Sequence, residues 1–261
     1  MRRPTVLVCI LLLALVGIWH ARQNDTIAAQ TLQSIRNTIR DTGSGEQRAK
    51  IAEQRVRPPL ESALAAKNLH FGDPVFLRAF KEEKQLELWV RQRASGKYEL
   101  FRTWDIAATS GDLGPKLAEG DGQVPEGFYS VVPALMKPDS AFHLAFNIGY
   151  PNAYDRAHGR SGSFIMIHGN VVSIGCLAMT DEKIEEIYTL CDAAFKKGQQ
   201  RIRVHLFPFR MSTERMAKEA ANPWIGFWNE LKTGYDWFET NGIPPNVGVK
   251  EKSYVFSSLQ E

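Results

Sequence analysis

A mostly β domain with one internal helix and a helical C-terminal cap, attached to an exported N-terminal stalk, is the architecture that three features of this 261-residue chain predict. From Pro74 to Pro208, short runs of alternating apolar and polar residues are separated by turns rich in Gly and Pro, the pattern of a β-meander. Ile184, Ile187, Tyr188, Cys191 and Phe195 recur at helical spacing within that stretch, and a second helical stripe follows Asn222. Behind Met1-Arg2-Arg3, the run from Thr5 to Trp19 carries no charge. Composition narrows the class. With 44% hydrophobic and 23% charged residues the chain can bury a core, which excludes disorder throughout. A net charge of +3, from 32 basic and 29 acidic residues interspersed along the chain, excludes a nucleic-acid footprint, and no nucleic-acid partner is expected. Three cysteines, Cys9, Cys176 and Cys191, are too few for a disulfide framework or an all-cysteine metal site.

Residues 1–21 read as a signal peptide or signal anchor, with a basic n-region and an apolar h-region that contains Cys9. The run is shorter than the roughly 20 residues of a comfortable membrane span. Trp19 stands where processing prefers a small side chain, so retention as an inner-membrane anchor, with Arg2 and Arg3 cytoplasmic, is one of two outcomes. Residues 22–70 are expected to form a polar, partly helical stalk. Ile27, Leu32, Ile35 and Ile39 share a helical face, Thr42 to Gly45 interrupts it, Arg57-Pro58-Pro59 ends the next helix, and Leu60 to Ala66 forms another.

Residues 71–208 hold the β-rich domain. Val75 to Phe80, Gln85 to Val90 and Lys97 to Thr109 are its first strands, with Ala94-Ser95-Gly96-Lys97 as a hairpin turn. A Gly- and Pro-rich loop from Ser110 to Gly127 leads to a strand at Phe128 to Val132. Pro133 to Ser140 is loop, and Ala141 to Ile148 returns to strand. The polar loop Gly149 to Gly162 is long enough to suggest a function. Ser163 to Gly169 is a strand whose last polar side chain is His168. Thr180 is placed to cap the internal helix, with Asp181 and Glu182 in its first turn and Cys191 on its core face. Arg201, Arg203 and His205 alternate with Ile202, Val204 and Leu206 on a later strand, where His205 is structural. His70 and His143 show no partner pattern. Residues 209–261 form a helical extension. Asn222-Pro223 opens its helix, Trp224, Phe227, Trp228, Leu231, Tyr235 and Phe238 face the body, Gly242 to Pro245 ends it, and Ser253 to Ser257 is a last edge strand.

The chemistry concentrates at His168, eight positions before Cys176. A cysteine nucleophile needs a base to form thiolate at neutral pH and N–H donors for the oxyanion of an acyl intermediate. His168 can supply the base if the intervening loop folds back, and Gly175 lets the backbone turn its N–H groups toward a substrate. One histidine and one cysteine at this separation also occur without any catalytic role. His168 and His158 lack a third ligand for zinc, and neither metal nor organic cofactor is expected.

His168-Gly169 followed by Ser173-Ile174-Gly175-Cys176 resembles the paired signature of the L,D-transpeptidase catalytic domain, a β-sandwich of bacterial cell-wall metabolism. Gln123-Val124-Pro125-Glu126-Gly127-Phe128-Tyr129 resembles that family's Pro-x-Gly-x-aromatic element. Pro151 to Arg160 and Ile174 to Asp181 are similar to the branch that cleaves the link between peptidoglycan meso-diaminopimelate and the outer-membrane murein lipoprotein. The resemblance implies Cys176 as nucleophile, His168 as base and later acid, the Gly169 carbonyl as the group orienting His168, and the Gly175 and Cys176 N–H groups as oxyanion donors. It also makes Tyr154, Arg156, His158, Arg160 and Ser173 candidate substrate contacts, the arginines through the carboxylates of diaminopimelate. For the residues of the 154–160 loop, loop stabilisation is the alternative role.

Most members carry a histidine before the Gly-Cys pair and an arginine two residues after the cysteine, where this chain has Ile174 and Ala178. The missing arginine favours the amidase branch over ordinary crosslinking. Implied partners are diaminopimelate-containing peptide stems and the lipoprotein, in the periplasm. Two further readings stand beside the amidase. One is an L,D-transpeptidase that forms 3-3 crosslinks or attaches the lipoprotein. The other is a catalytically silent peptidoglycan-binding module. Glycan contact near the active site is a lesser alternative to core packing for Trp237 or Tyr235.

Overall fold

Strand β1 (Val75–Phe80) is buried at every position because both of its faces are covered. It lies at the centre of a five-stranded sheet with β2 (Gln85–Arg91), β3 (Tyr98–Asp105), β4 (Gly127–Val131) and β9 (Ile202–Phe207), in the order β3-β2-β1-β9-β4. The β1–β9 pair is parallel and its neighbours are antiparallel. A second sheet of four short strands, β5 (Met136–Lys137), β6 (Ala145–Asn147), β7 (Met166–His168) and β8 (Leu177–Ala178), carries the sequence around His168 and Cys176. These come from a computed structural model that describes residues 44–259; the expected export segment with Cys9 and the expected stalk up to residue 43 lie outside the described residues.

Helix α1 (Gly45–Ala65) departs from the expected stalk in two ways. It runs through Pro58 and Pro59 without ending, and Ala52, Val56, Leu60 and Leu64 form a stripe buried in the main core. Each interior proline costs about 3 kcal/mol. Burial of three large aliphatic side chains, at about 1.5–3 kcal/mol each, offsets that cost. Residues 45–65 therefore belong to the packed body of the fold.

The polar loop at 149–162 contains a one-turn helix, α2 (Ala153–Ala157), capped by Asn152 and Asp155. Helix α3 (Asp181–Lys196) starts at Thr180, whose hydroxyl accepts from Lys183 N–H, and buries Ile184, Ile187, Tyr188 and Cys191. Cys191 and Cys176 are both free thiols. After the short α4 (Thr213–Lys218), helix α5 (Ile225–Asn241) covers the other face of the large sheet with Phe227, Trp228, Leu231 and Phe238. It begins two residues later than Asn222-Pro223 predicts: Asn222 accepts from the N–H groups of Trp224 and Ile225 in a turn that precedes the helix. The C-terminal part is also less helical than expected, since β10 (Asn246–Lys250) pairs with β11 (Ser253–Ser257) and buries Tyr254.

Candidate active site

Parallel pairing of β7 with β8 brings His168 and Cys176 together. Ile167 registers with Leu177 and His168 with Ala178, so the loop between them must fold back and set Cys176 beside Met166. Gly175 makes that fold possible with φ +85°, a conformation costly for any residue with a Cβ. Ser173 closes the turn, its hydroxyl donating to the Cys176 carbonyl (2.6 Å) and accepting from Cys176 N–H (3.1 Å). Ser173, expected as a substrate contact, forms this turn and does not line the cavity shared by Cys176 and His168. The Gly175 N–H donates to Ser110 Oγ at 2.6 Å, and Ser110 donates in turn to the Gly122 carbonyl at 2.7 Å. Both N–H groups expected as oxyanion donors therefore hold a neutral hydroxyl oxygen.

His168 Nδ1 lies 2.6 Å from the Gly169 carbonyl. A carbonyl only accepts, so Nδ1 carries the proton and Nε2 keeps the lone pair a base needs. Gly169 is enclosed: a Cβ there would approach Asp181 Oδ1 to 2.6 Å and the Phe142 carbonyl to 2.8 Å. Asp181 accepts from Asn170 N–H at 2.7 Å and fixes the turn after the histidine. The Phe142 ring packs on the imidazole at 4.9 Å. Its loop is held from α1, where Arg48 donates to the carbonyls of Ser140 (2.9 Å) and His143 (2.8 Å). His143, which showed no partner pattern, meets the buried Glu185 carboxylate at 2.7 Å, and Arg55 pairs with the same carboxylate.

Cys176 Sγ accepts from Met166 N–H (3.4 Å) and donates to the Phe164 carbonyl (3.7 Å). Burial pushes the thiol above its ordinary range, with the Met166 N–H and the Lys116 charge opposing. Burial likewise lowers the His168 imidazole, opposed by the Gly169 carbonyl. At neutral pH both groups rest uncharged, so the thiol must exchange the Phe164 carbonyl for a base and lose its proton as it attacks. Cys176 and His168 line one cavity of about 440 Å³, with Phe142, Phe164 and Met166 as its apolar wall.

The expected substrate contacts of the 154–160 loop do not line this cavity. Arg160, 7% exposed, pairs with Asp155 at 2.9 Å. Arg156 donates to the Pro151 carbonyl, His158 Nε2 bonds the Lys252 carbonyl at 2.7 Å, and Tyr154 stacks on Tyr254 at 4.2 Å and bonds Glu230. The cause is local competition, because carboxylates and carbonyls of the fold itself satisfy these groups. Trp237 and Tyr235 do not line the cavity either. Among the described residues, no group of three or more His, Cys, Asp or Glu side chains is placed to hold a metal ion. Sequence reasoning missed Ser110, Arg48 and Phe142, none of which stands near the motif in the chain. Asp181 was visible, but only as a helix-start residue.

Where most members of the resembled family carry histidine and arginine, Ile174 is 85% exposed and Ala178 is fully buried, bridged to Ala108. Over 186 residues the chain is 46% identical to the candidate L,D-transpeptidase YafK of Escherichia coli (strain K12), an alignment covering 71% of this chain and 75% of that protein; YafK of E. coli O157:H7 matches equally. Among solved structures, a point mutant of the helical cell shape determining protein Pgp2 from Campylobacter jejuni aligns with TM-score 0.43 and 21% identity, over 66% of this chain and 58% of that one. Bd1075 of Bdellovibrio bacteriovorus aligns with TM-score 0.35 and 20% identity, over 64% and 58% of the two chains. Residues 77–205 match the family model of the L,D-transpeptidase catalytic domain (YkuD), and with the relationship to YafK this establishes that the chain belongs to that family.

Proposed function

We propose that this protein is a cysteine amidase that releases murein lipoprotein from peptidoglycan by cleaving the amide between meso-diaminopimelate and a lipoprotein lysine. The observation that carries the reading is the placement of Cys176 and His168 on a common cavity, with the imidazole oriented by the Gly169 carbonyl. The loss of the usual arginine, with buried Ala178 in its place, supports the amidase over crosslinking.

In the first step Cys176 Sγ attacks the amide carbonyl while His168 Nε2 takes the thiol proton. The carbonyl oxygen becomes an oxyanion, for which the Gly175 and Cys176 N–H groups are the candidate donors, sharing their protons with the Ser110 and Ser173 hydroxyls that keep the loop in place. Collapse breaks the C–N bond, the imidazolium protonates the leaving lysine amine, and a thioester remains. Water, deprotonated by His168, then attacks the thioester, and the thiolate leaves and recovers its proton. A transpeptidase would differ only in using an amine in place of water, and the description of YafK favours that second reading. The site of action would be the periplasm, with residues 1–21 exporting or anchoring the chain and residues 22–43 forming its connection. Among the described residues no helix is long and apolar enough to cross a membrane.

The test is incubation with purified sacculi bearing attached lipoprotein, followed by muropeptide analysis. Loss of lipoprotein-linked species, dependent on Cys176, is the expected outcome. Gain of crosslinks would convert the reading to a transpeptidase. No change, together with a Cys176 unreactive to alkylating agents, would leave only a binding module.

A further inference from the structure

The fold consumes the arginines that the sequence offered for substrate carboxylates, and the usual family arginine is absent. A different pair of charges lines the catalytic cavity. Lys137 ends β5, and Asp139 follows two residues later in the turn after it. Both residues line the same cavity as His168 and Cys176, and they bring the lysine and the carboxylate to an otherwise largely apolar wall. Among the described residues, neither side chain has a hydrogen-bond or ion-pair partner. Lys116, whose charge acts on Cys176, is already paired with Asp121 at 2.6 Å.

The backbone that carries this pair is fixed. Lys137 is registered opposite Ala145, the turn after Asp139 is held at the Ser140 carbonyl by Arg48, and Gly45 of α1 packs so closely on the Asp139 backbone that a Cβ there would lie 2.5 Å from its nitrogen. Two opposite charges held on one short segment, left unpaired and facing a cavity that also holds the nucleophile, are arranged for a ligand with the complementary pair.

We propose that Lys137 and Asp139 form a subsite for a zwitterionic amino-acid end of the acyl donor, Lys137 taking its carboxylate and Asp139 its ammonium. Resting on the amidase reading, this end is the second stereocentre of meso-diaminopimelate, which carries a free carboxylate and a free ammonium four carbons from the centre that bears the scissile carbonyl. The apolar Phe142, Phe164 and Met166 wall suits the methylenes between the two centres. The subsite thus supplies from β5 the cation that the family ordinarily places two residues after the cysteine. It also gives the site a reason to discriminate diaminopimelate from lysine, which keeps the ammonium and lacks the carboxylate.

The test is calorimetric binding of three soluble tripeptide stems to Cys176→Ala protein, in which no turnover occurs. The stems end in meso-diaminopimelate, in its form amidated at the second-centre carboxylate, and in lysine. The expected result is a preference of about 10- to 100-fold for the unmodified diaminopimelate stem, the size of one charge-assisted hydrogen bond. Adding Lys137→Gln should erase that preference while leaving lysine-stem binding unchanged. Adding Asp139→Asn should weaken all three stems alike. Circular dichroism of each variant checks that it is folded. Equal binding of the three stems, no binding of any, or a preference that survives Lys137→Gln would overturn the subsite. The sacculus assay with the unsubstituted protein separates the two ideas. Lipoprotein release without stem preference removes the subsite and keeps the amidase, and preference without release removes the amidase and keeps the subsite.

Discussion

The loop cluster around Asp155 and the cavity around Cys176 are built from similar side-chain types, and their hydrogen bonds end in different places. Around Asp155, Arg160 and Tyr129 converge on the buried carboxylate at 2.9 and 3.0 Å, Tyr154 reaches Glu230, and His158 reaches the Lys252 carbonyl. The polar groups of that cluster are spent on the fold. Around Cys176 the bonds fix backbone and ring orientation, through Ser173, Ser110, Asp181 and the Gly169 carbonyl, and leave the imidazole Nε2, Lys137 and Asp139 to the cavity. A polar cluster whose partners lie inside the chain holds structure. One whose supports are internal and whose reactive atoms are open can act on a ligand.

The sharpest way to break this contrast is to remove one acidic or nucleophilic group from each region. Cys176→Ala should reduce turnover by about a thousandfold or more while thermal unfolding stays nearly unchanged, and His168→Ala should cost about 100- to 10,000-fold. Asp155→Ala should do the reverse. It strands the nearly buried Arg160 guanidinium and should destabilise the protein by about 3–5 kcal/mol, read by denaturant unfolding. The activity of the molecules that remain folded should be kept. If Asp155→Ala protein unfolded normally and lost turnover, the two clusters would be one site.

Why the sequence separated these regions poorly is visible in single residues. Cys176, His168, Gly175 and the Thr180 cap are read from short spacings, because a nucleophile loop between two paired strands is a local event, and the structure brings the first two to one cavity. The aromatic face of α5 was legible for the same reason of period. Partner choice was not. Arg160 looks identical in sequence whether it awaits a carboxylate ligand or already holds Asp155. Arg48 acts on carbonyls 92 and 95 positions away, a relation no local pattern carries. The continuation of α1 through two prolines depends on burial against α3, which is a property of the packed molecule.

A milder change sharpens the claim that the open region depends on internal supports. Ser110→Ala removes the acceptor of the Gly175 N–H, a bond worth about 1 kcal/mol. Turnover should fall several-fold with little change in stability, and the effect should lie in kcat more than in KM, because the nucleophile loop is displaced and the binding wall is untouched. Restoration by Ser110→Thr, which keeps the hydroxyl, would tie the loss to that bond.

The two sides of the molecule should also answer pH through different observables. His205 on β9 is buried against Phe76 and Phe128 at 4.6 and 4.7 Å, and burial, with Arg78 and Arg203 nearby, holds its imidazole well below the ordinary value. The unfolded chain therefore binds the proton first. Stability is fully present above the ordinary histidine range and is lost as pH falls through about 6.5 toward the lowered value. His205→Phe should flatten that slope in denaturant titrations at pH 7 and pH 5, leaving the smaller contribution of the same sign from His168. Turnover should follow His168 itself. Its neutral form is the base and its pKa is lowered, so the acid limb of the rate profile should lie below the ordinary imidazole range.

The smallest expected effects are the most discriminating for the Asp155 cluster. Arg156 and His158 sit at its exposed edge, each bonded to a backbone carbonyl, and His158 also stacks on Tyr154 at 4.2 Å. Were either a carboxylate contact for diaminopimelate, alanine in its place would remove a charge-assisted or ring hydrogen bond to substrate, and KM would rise about tenfold or more. As parts of a closed structural loop, both are replaceable at a cost of about 1 kcal/mol in stability or less. Arg156→Ala and His158→Ala should therefore leave kcat and KM for sacculi within about twofold of the parent. A large KM rise confined to Arg156→Ala would return a binding role to this loop and would require substrate to extend well beyond the cavity that Lys137 and Asp139 line.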